Sequence, residues 1–120
     1  MDQRSSKSDL DSAFTALSDS SRREMIRLLL QRPRRAGELA QNLCMSPQAL
    51  SRHLRVLRKA GLVAEESIEN DARVRIYRVH ARAFQPVQQW LLQVEELWRA
   101  QLLDFKSYAE NAQRDRKPKT

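Results

Sequence analysis

The chain has 120 residues and a mass of 14.0 kDa, enough for one hydrophobic core and too little for a second. Its 22 Lys+Arg against 15 Asp+Glu give a net charge of +7, which points to a polyanionic partner. Only 2 Gly argue against a phosphate-cradling loop or a turn-rich all-β fold, and 1 Cys excludes an intrachain disulfide.

Polar tails are expected at 1–8 and 112–120, flanking one ordered unit over 9–111. The N-terminal tail has no apolar signal-peptide core. The longest apolar run is three residues, which excludes a transmembrane helix, so a cytoplasmic location is expected. A first helix is predicted from Asp9 to Leu17, with Leu10, Ala13, Phe14 and Leu17 on one face. Asp19 is placed to cap a second helix over 20–31, which Arg32-Pro33 ends. A short helix over 36–43 buries Leu39, Ala40 and Leu43. After the break Cys44-Met45-Ser46, Ser46-Pro47 starts a fourth helix that runs to Ala60, and Gly61 stops it. The period then changes. Residues 62–68 and 73–79 alternate as two strands around a hairpin loop, Glu69–Ala72. A long last helix is predicted over 85–111, striped by Val87, Leu91, Val94, Trp98, Leu102, Phe105 and Tyr108. The fold class is therefore mainly α with a small β-hairpin, in the order α-α-α-α-β-β-α.

The pair 36–43 and 47–60 has the size of a helix-turn-helix. On the second helix Leu50, Leu54 and Leu57 define the core side. At ~100° per residue, Gln48, Arg52, Arg55 and Lys59 fall opposite them, with Ser51 on the flank. Arg and Gln can pair with purine edges in a major groove, and Lys and Arg neutralise phosphates. Gln48, Ser51 and Arg52 are thus the candidates for base edges. Arg55 and Lys59 are candidates for the DNA backbone, as are Arg73 and Arg75 beyond the hairpin turn. The last two serve equally well as edge-strand charges against aggregation. Segment 32–59 holds seven basic residues and one acid, whereas 85–111 holds four acids and two bases. The positive charge is concentrated on the reading segment.

The stretches ALSDSSRREMIRLLL (16–30), AGELAQNL (36–43), SPQALSRHLRVLRKAGLV (46–63) and RVRIYRV (73–79) resemble an ArsR-type winged helix-turn-helix regulator. The resemblance covers roughly 10–108 and is most specific over 46–63. It implies a homodimeric regulator, usually a repressor, on a palindromic operator. The helix from Pro47 would be the recognition helix and 62–79 the wing. It also implies a dimer interface on the first and last helices, here Leu10, Phe14, Leu17, Val87, Leu91, Val94, Trp98, Leu102 and Phe105. Ser46, and His53 at a position where the family usually has a histidine, join the backbone candidates.

Metal sensing is not expected. The family's thiol pair would fall at Ala40 and Asn42, and the last helix has no His. Cys44, His53 and His80 are scattered, whereas a closed zinc site needs four ligands. No cofactor is expected. Cys44 reads as a small apolar residue packed in the turn, and Trp98 as dimer packing, with Trp90 off the stripe and turned to its own subunit. No serine-histidine-aspartate set, zinc-protease motif or phosphate loop is present, so the chain is not expected to be an enzyme. The rival readings are a basic amphipathic protein on anionic membrane and a protein-interaction adaptor. The long apolar helix is mildly acidic, which speaks against the first. No effector is named by these residues.

Overall fold

The structure, a computed structural model, describes residues 3–68 and 71–115. Its elements are α1 (Gln3–Leu17), α2 (Ser20–Gln31), β1 (Arg34–Arg35), α3 (Ala36–Asn42), α4 (Pro47–Lys59), β2 (Val63–Ile68), β3 (Asp71–Val79), a 3-10 turn (Ala81–Phe84) and α5 (Gln85–Asp115). Residues up to Val87 form one compact unit and those from Gln88 a second.

Local chemistry sets most of these boundaries. The Asp19 carboxylate accepts from the Ser21 and Arg22 backbone N–H groups (2.8 and 3.2 Å). The Arg22 N–H holds that carboxyl below the usual Asp range. Ser46 Oγ accepts from Ala49 N–H at 3.2 Å, with Pro47 in the first turn of α4. At the other end Gly61 has φ +78°. There Gly61 N–H bonds Arg58 O (2.9 Å) and Leu62 N–H bonds Leu57 O (3.0 Å), the pair of bonds that closes a helix in a left-handed cap. α3 ends in the same motif: Cys44 N–H bonds Gln41 O (3.3 Å) and Met45 N–H bonds Ala40 O (2.9 Å). Here the left-handed residue is Cys44, with φ 51°.

Three features depart from the expected layout. α1 begins at Gln3, inside the expected N-terminal tail, and α5 runs on to Asp115. The hairpin is part of a three-stranded sheet in the order β1-β3-β2, because Arg34 pairs with Tyr77 and Arg35 with Ile76. The expected loop Glu69–Ala72 is shorter: Asp71 and Ala72 already belong to β3, and 69–70 lie outside the described residues. β2 and β3 pair antiparallel from Val63↔Val79 to Ser67↔Arg75, and the register shifts between Ser67 and Ile68.

The core of the first unit is continuous. Ala13 and Ala16 of α1, Met25, Ile26 and Leu29 of α2, Leu39 of α3, Leu50, Leu54 and Leu57 of α4, and Leu62 and Val63 at the start of the wing pack together. One charged residue is buried with them, Arg34, only 8% exposed. Each of its three guanidinium nitrogens is hydrogen-bonded. The group donates to Leu28 O (3.1 Å), Gln31 Oε1 (2.8 Å) and Asn42 Oδ1 (3.2 Å), and stands 3.6 Å from Glu38. A cation at the α2 C-terminus complements the carbonyl end of that helix, adding a second donor to Leu28 O beside the Arg32 N–H, and ties α2, β1 and α3 together.

Candidate nucleic-acid interface

α4 is fastened to the rest of the first unit along its inner face and left bare along its outer one. Leu50, Leu54 and Leu57 are buried, while Gln48, Ser51, Arg52, Arg55 and Lys59 are exposed. Among the described residues, no hydrogen bond or ion pair engages the side chains of those five. Opposed faces of this kind follow from the 3.6-residue period. The result is an outer face on which these five donors and cations are available to a ligand.

The other cations near the interface behave differently, and the charge count of the sequence does not separate them. Arg32 pairs with Glu38, and Arg34 is the buried pin described above. At the C-terminal end of α4, Arg58 Nη1 lies 2.7 Å from Glu65 Oε2. The other oxygen of the same carboxylate, Glu65 Oε1, accepts from Arg75 Nη1 of β3 at 2.5 Å. The Glu65 side chain is 9% exposed. One carboxylate of β2 thus bridges α4 and β3 and fixes the wing against the helix. Sequence reading passed over Glu65. The only signal was an acid in β2 facing an arginine-rich strand, and the register that brings them together is a tertiary fact. Arg75, expected at a phosphate, is instead committed to Glu65 in the free chain. Arg73 is exposed on the same strand.

His53, a candidate for the DNA backbone, is packed at the edge of α4. It is half-buried, and its Nδ1 lies 3.3 Å from Arg22 Nη1. Arginine has only donors, so Nδ1 accepts. The same Arg22 donates to Ala16 O (2.6 Å) and Thr15 O (3.1 Å). It closes the C-terminus of α1 and touches α4 at once. Ser46 spends its hydroxyl on the cap. Cys44, expected to pack in the turn, is exposed, because the left-handed backbone that ends α3 turns its side chain outward.

The apolar residues expected at a subunit contact fall into two groups. Leu17 and Val87 pack against the chain's own core, and Leu10 is half-buried. On α5 the stripe is open: Leu91, Val94, Trp98 (61% exposed), Leu102 (51%) and Phe105 (70%) stand outward, as does Phe14 of α1. Trp90, expected to turn to its own subunit, is exposed too, as are Leu92, Leu97, Leu103 and Tyr108. Among the described residues no group of three His, Cys, Asp or Glu is placed to hold a metal ion, and no helix is long and apolar enough to cross a membrane.

Comparison with known proteins agrees with this geometry. The model of the bacterial regulatory protein arsR family matches residues 19–65, the stretch from the α2 cap to the middle of β2. The HTH-type transcriptional regulator Rv2034 of Mycobacterium tuberculosis is 44% identical over 55 residues, 46% of this chain and 51% of that protein. The chain therefore matches about half the length of this relative. An ArsR-like transcriptional regulator from Rhodococcus sp. RHA1 superposes with a TM-score of 0.73 at 29% identity, covering 92% of this chain and 98% of that one. HlyU from Vibrio cholerae superposes with a TM-score of 0.60 at 26% identity, covering 78% and 97%. With its capped helix pair, its wing and these relatives, the chain carries the helix-turn-helix of the arsR family of bacterial regulatory proteins over residues 19–65 and is similar along most of its length to ArsR-like winged helix-turn-helix regulators.

Proposed function

We propose that the protein is a cytoplasmic homodimeric repressor that reads a palindromic DNA operator with α4 in the major groove and β2–β3 as the wing. The observation that carries this reading is the outer face of α4. Gln48, Ser51 and Arg52 stand exposed toward its N-terminal half, with Arg55 and Lys59 following, and none is engaged by a side chain or backbone group among the described residues. Gln48, Ser51 and Arg52 would take base edges, and Arg55 and Lys59 phosphates. Arg73 and Arg75 would reach the flanking backbone from the wing, Arg75 while still bonded to Glu65.

The dimer follows from α5. Its exposed apolar side chains cover most of the helix circumference, a pattern found on helices buried on more than one side. An apolar surface of that extent is unusual on a monomer and marks an interaction site. A second copy, contributing its own α5 and the Phe14 face of α1, is the simplest cover. It would also give the two-fold symmetry that makes an operator palindromic.

Selection of duplexes from a random library by the full chain tests this reading. The expected product is an imperfect palindrome with half-sites about 10 bp apart, or a close multiple. Absence of any enriched sequence overturns it, as does co-sedimentation with anionic vesicles without DNA preference.

A further inference from the structure

Between α3, α4 and β3 the first unit contains a recess of about 200 Å³. Its floor is apolar: Ala40, Leu50 and Leu54 are buried core residues that also face this space, with Ala36 beside them. Its rim is not. Arg55, Arg58 and Tyr77 line the same space. Arg58 is bonded to Glu65, but Arg55 and the Tyr77 hydroxyl have no hydrogen-bond partner among the described residues. Burial raises the Tyr77 pKa, with the Glu65 charge adding to it, so the hydroxyl keeps its proton and can donate.

We propose that this recess binds a small organic acid with a single ring, its carboxylate held by Arg55 and the Tyr77 hydroxyl and its ring on the Ala40–Leu50–Leu54 floor. Size, polarity and charge each point the same way. An apolar protein cavity of about 150 Å³ is enough to take up benzene, so a space of 200 Å³ accommodates one ring and little more. An apolar pocket with a few converging polar groups is the usual form of a small-molecule site. The rim carries an unengaged guanidinium and a hydroxyl donor, and both are complementary to a carboxylate. Glu65 already engages both Arg58 and Arg75, which leaves Arg55 as the rim cation with no carboxylate partner among the described residues. Under the DNA reading Arg55 also faces a phosphate. An anion held there therefore weakens DNA binding, and that consequence alone rests on the proposed function.

The test is a titration of the full chain with benzoate, followed by amide chemical shifts in NMR. A saturable shift confined to residues around the recess is expected, with a Kd on the order of 1 mM for so few ligand atoms. Benzamide, which keeps the ring and loses the charge, and acetate, which keeps the charge and loses the ring, should each bind at least about tenfold more weakly. Two variants locate the site. Arg55→Ala should weaken benzoate by a similar factor. Gly37→Leu should abolish binding by filling the recess. Gly37 lines it, a Cβ there would meet no atom within 4 Å, and leucine suits a helix better than glycine, so the fold is expected to persist. Shifts no larger than those with acetate overturn the proposal, as do equal affinity for benzamide and undiminished binding in Gly37→Leu. None of these results depends on DNA. A chain that binds benzoate but selects no operator retains this site and loses the proposed function.

Discussion

The two units of the chain deal with apolar surface in opposite ways. In the first, residues up to Val87, twelve apolar side chains form one buried core and the buried Arg34 is hydrogen-bonded through each of its three guanidinium nitrogens. In the second, the body of α5, no residue is buried, and ten large apolar residues from Trp90 to Tyr108 stand exposed. The first unit holds the interactions that fix its own fold. The second lacks them and takes its meaning from what covers it. Substitutions in the first should change folding free energy, and those in α5 should change assembly.

The sharpest way to break the contrast is Leu102→Glu. A charge set into the apolar stripe cannot be buried without a large desolvation cost, so the variant is expected to sediment as a monomer or aggregate and to lose operator binding entirely. A wild type that sediments as a well-folded monomer at micromolar concentration would remove the contrast itself. Leu57→Ala addresses the other unit. Leu57 is 0% exposed, and deleting such a side chain costs about 2–5 kcal/mol. Denaturant unfolding should show that loss with the oligomeric state of the remaining folded protein unchanged.

Next in size are the changes on the outer face of α4, where neither folding nor assembly should respond. Arg52→Ala should cost roughly 1–3 kcal/mol of operator affinity and relax specificity at one base position, with the melting temperature unaltered. Lys59→Ala should weaken all sequences alike and reduce the salt dependence by about one unit of slope. A preference untouched by Arg52→Ala would mean that another face reads the DNA.

The smallest effects come from the two left-handed caps. Gly61 occupies its position without strain, and Gly61→Ala should destabilise by about 1–2 kcal/mol. Cys44 adopts φ 51° with a full side chain, so Cys44→Gly should stabilise by about 0.5 kcal/mol, partly offset by the freer unfolded chain. The opposite signs at two geometrically equivalent positions are the measurement. Equal signs would show that the turn between α3 and α4 is held by something other than its cap.

These caps also mark what could be read from sequence. Asp19, Ser46-Pro47 and Gly61 act on their immediate neighbours, and the bounds of α2 and α4 followed from them within a residue or so. The opposed faces of α4 followed from periodicity in the same way. β1 did not, because two arginines have no strand signature of their own and become a strand only by pairing with Ile76 and Tyr77, some forty residues on. The left-handed backbone at Cys44 was invisible because cysteine is a poor predictor of it. The pairing of Arg58 and Arg75 through Glu65 depends on strand register, and the burial of Arg34 depends on four partners from the two helices that flank it. In each case the decisive neighbour is distant in sequence, and counting charges by segment treats a core pin and an open cation as the same.

The separation of occupied from unoccupied arginines bears on how such a protein can change. Arg34, Arg58 and Arg75 each answer to residues inside the chain, so replacing any of them takes a partner from a carbonyl, an amide or a carboxylate. Gln48, Arg52 and Arg55 answer to nothing among the described residues. Substitution there meets no structural veto, and the chain can drift toward a different target while its fold, its wing and its stability are inherited unchanged.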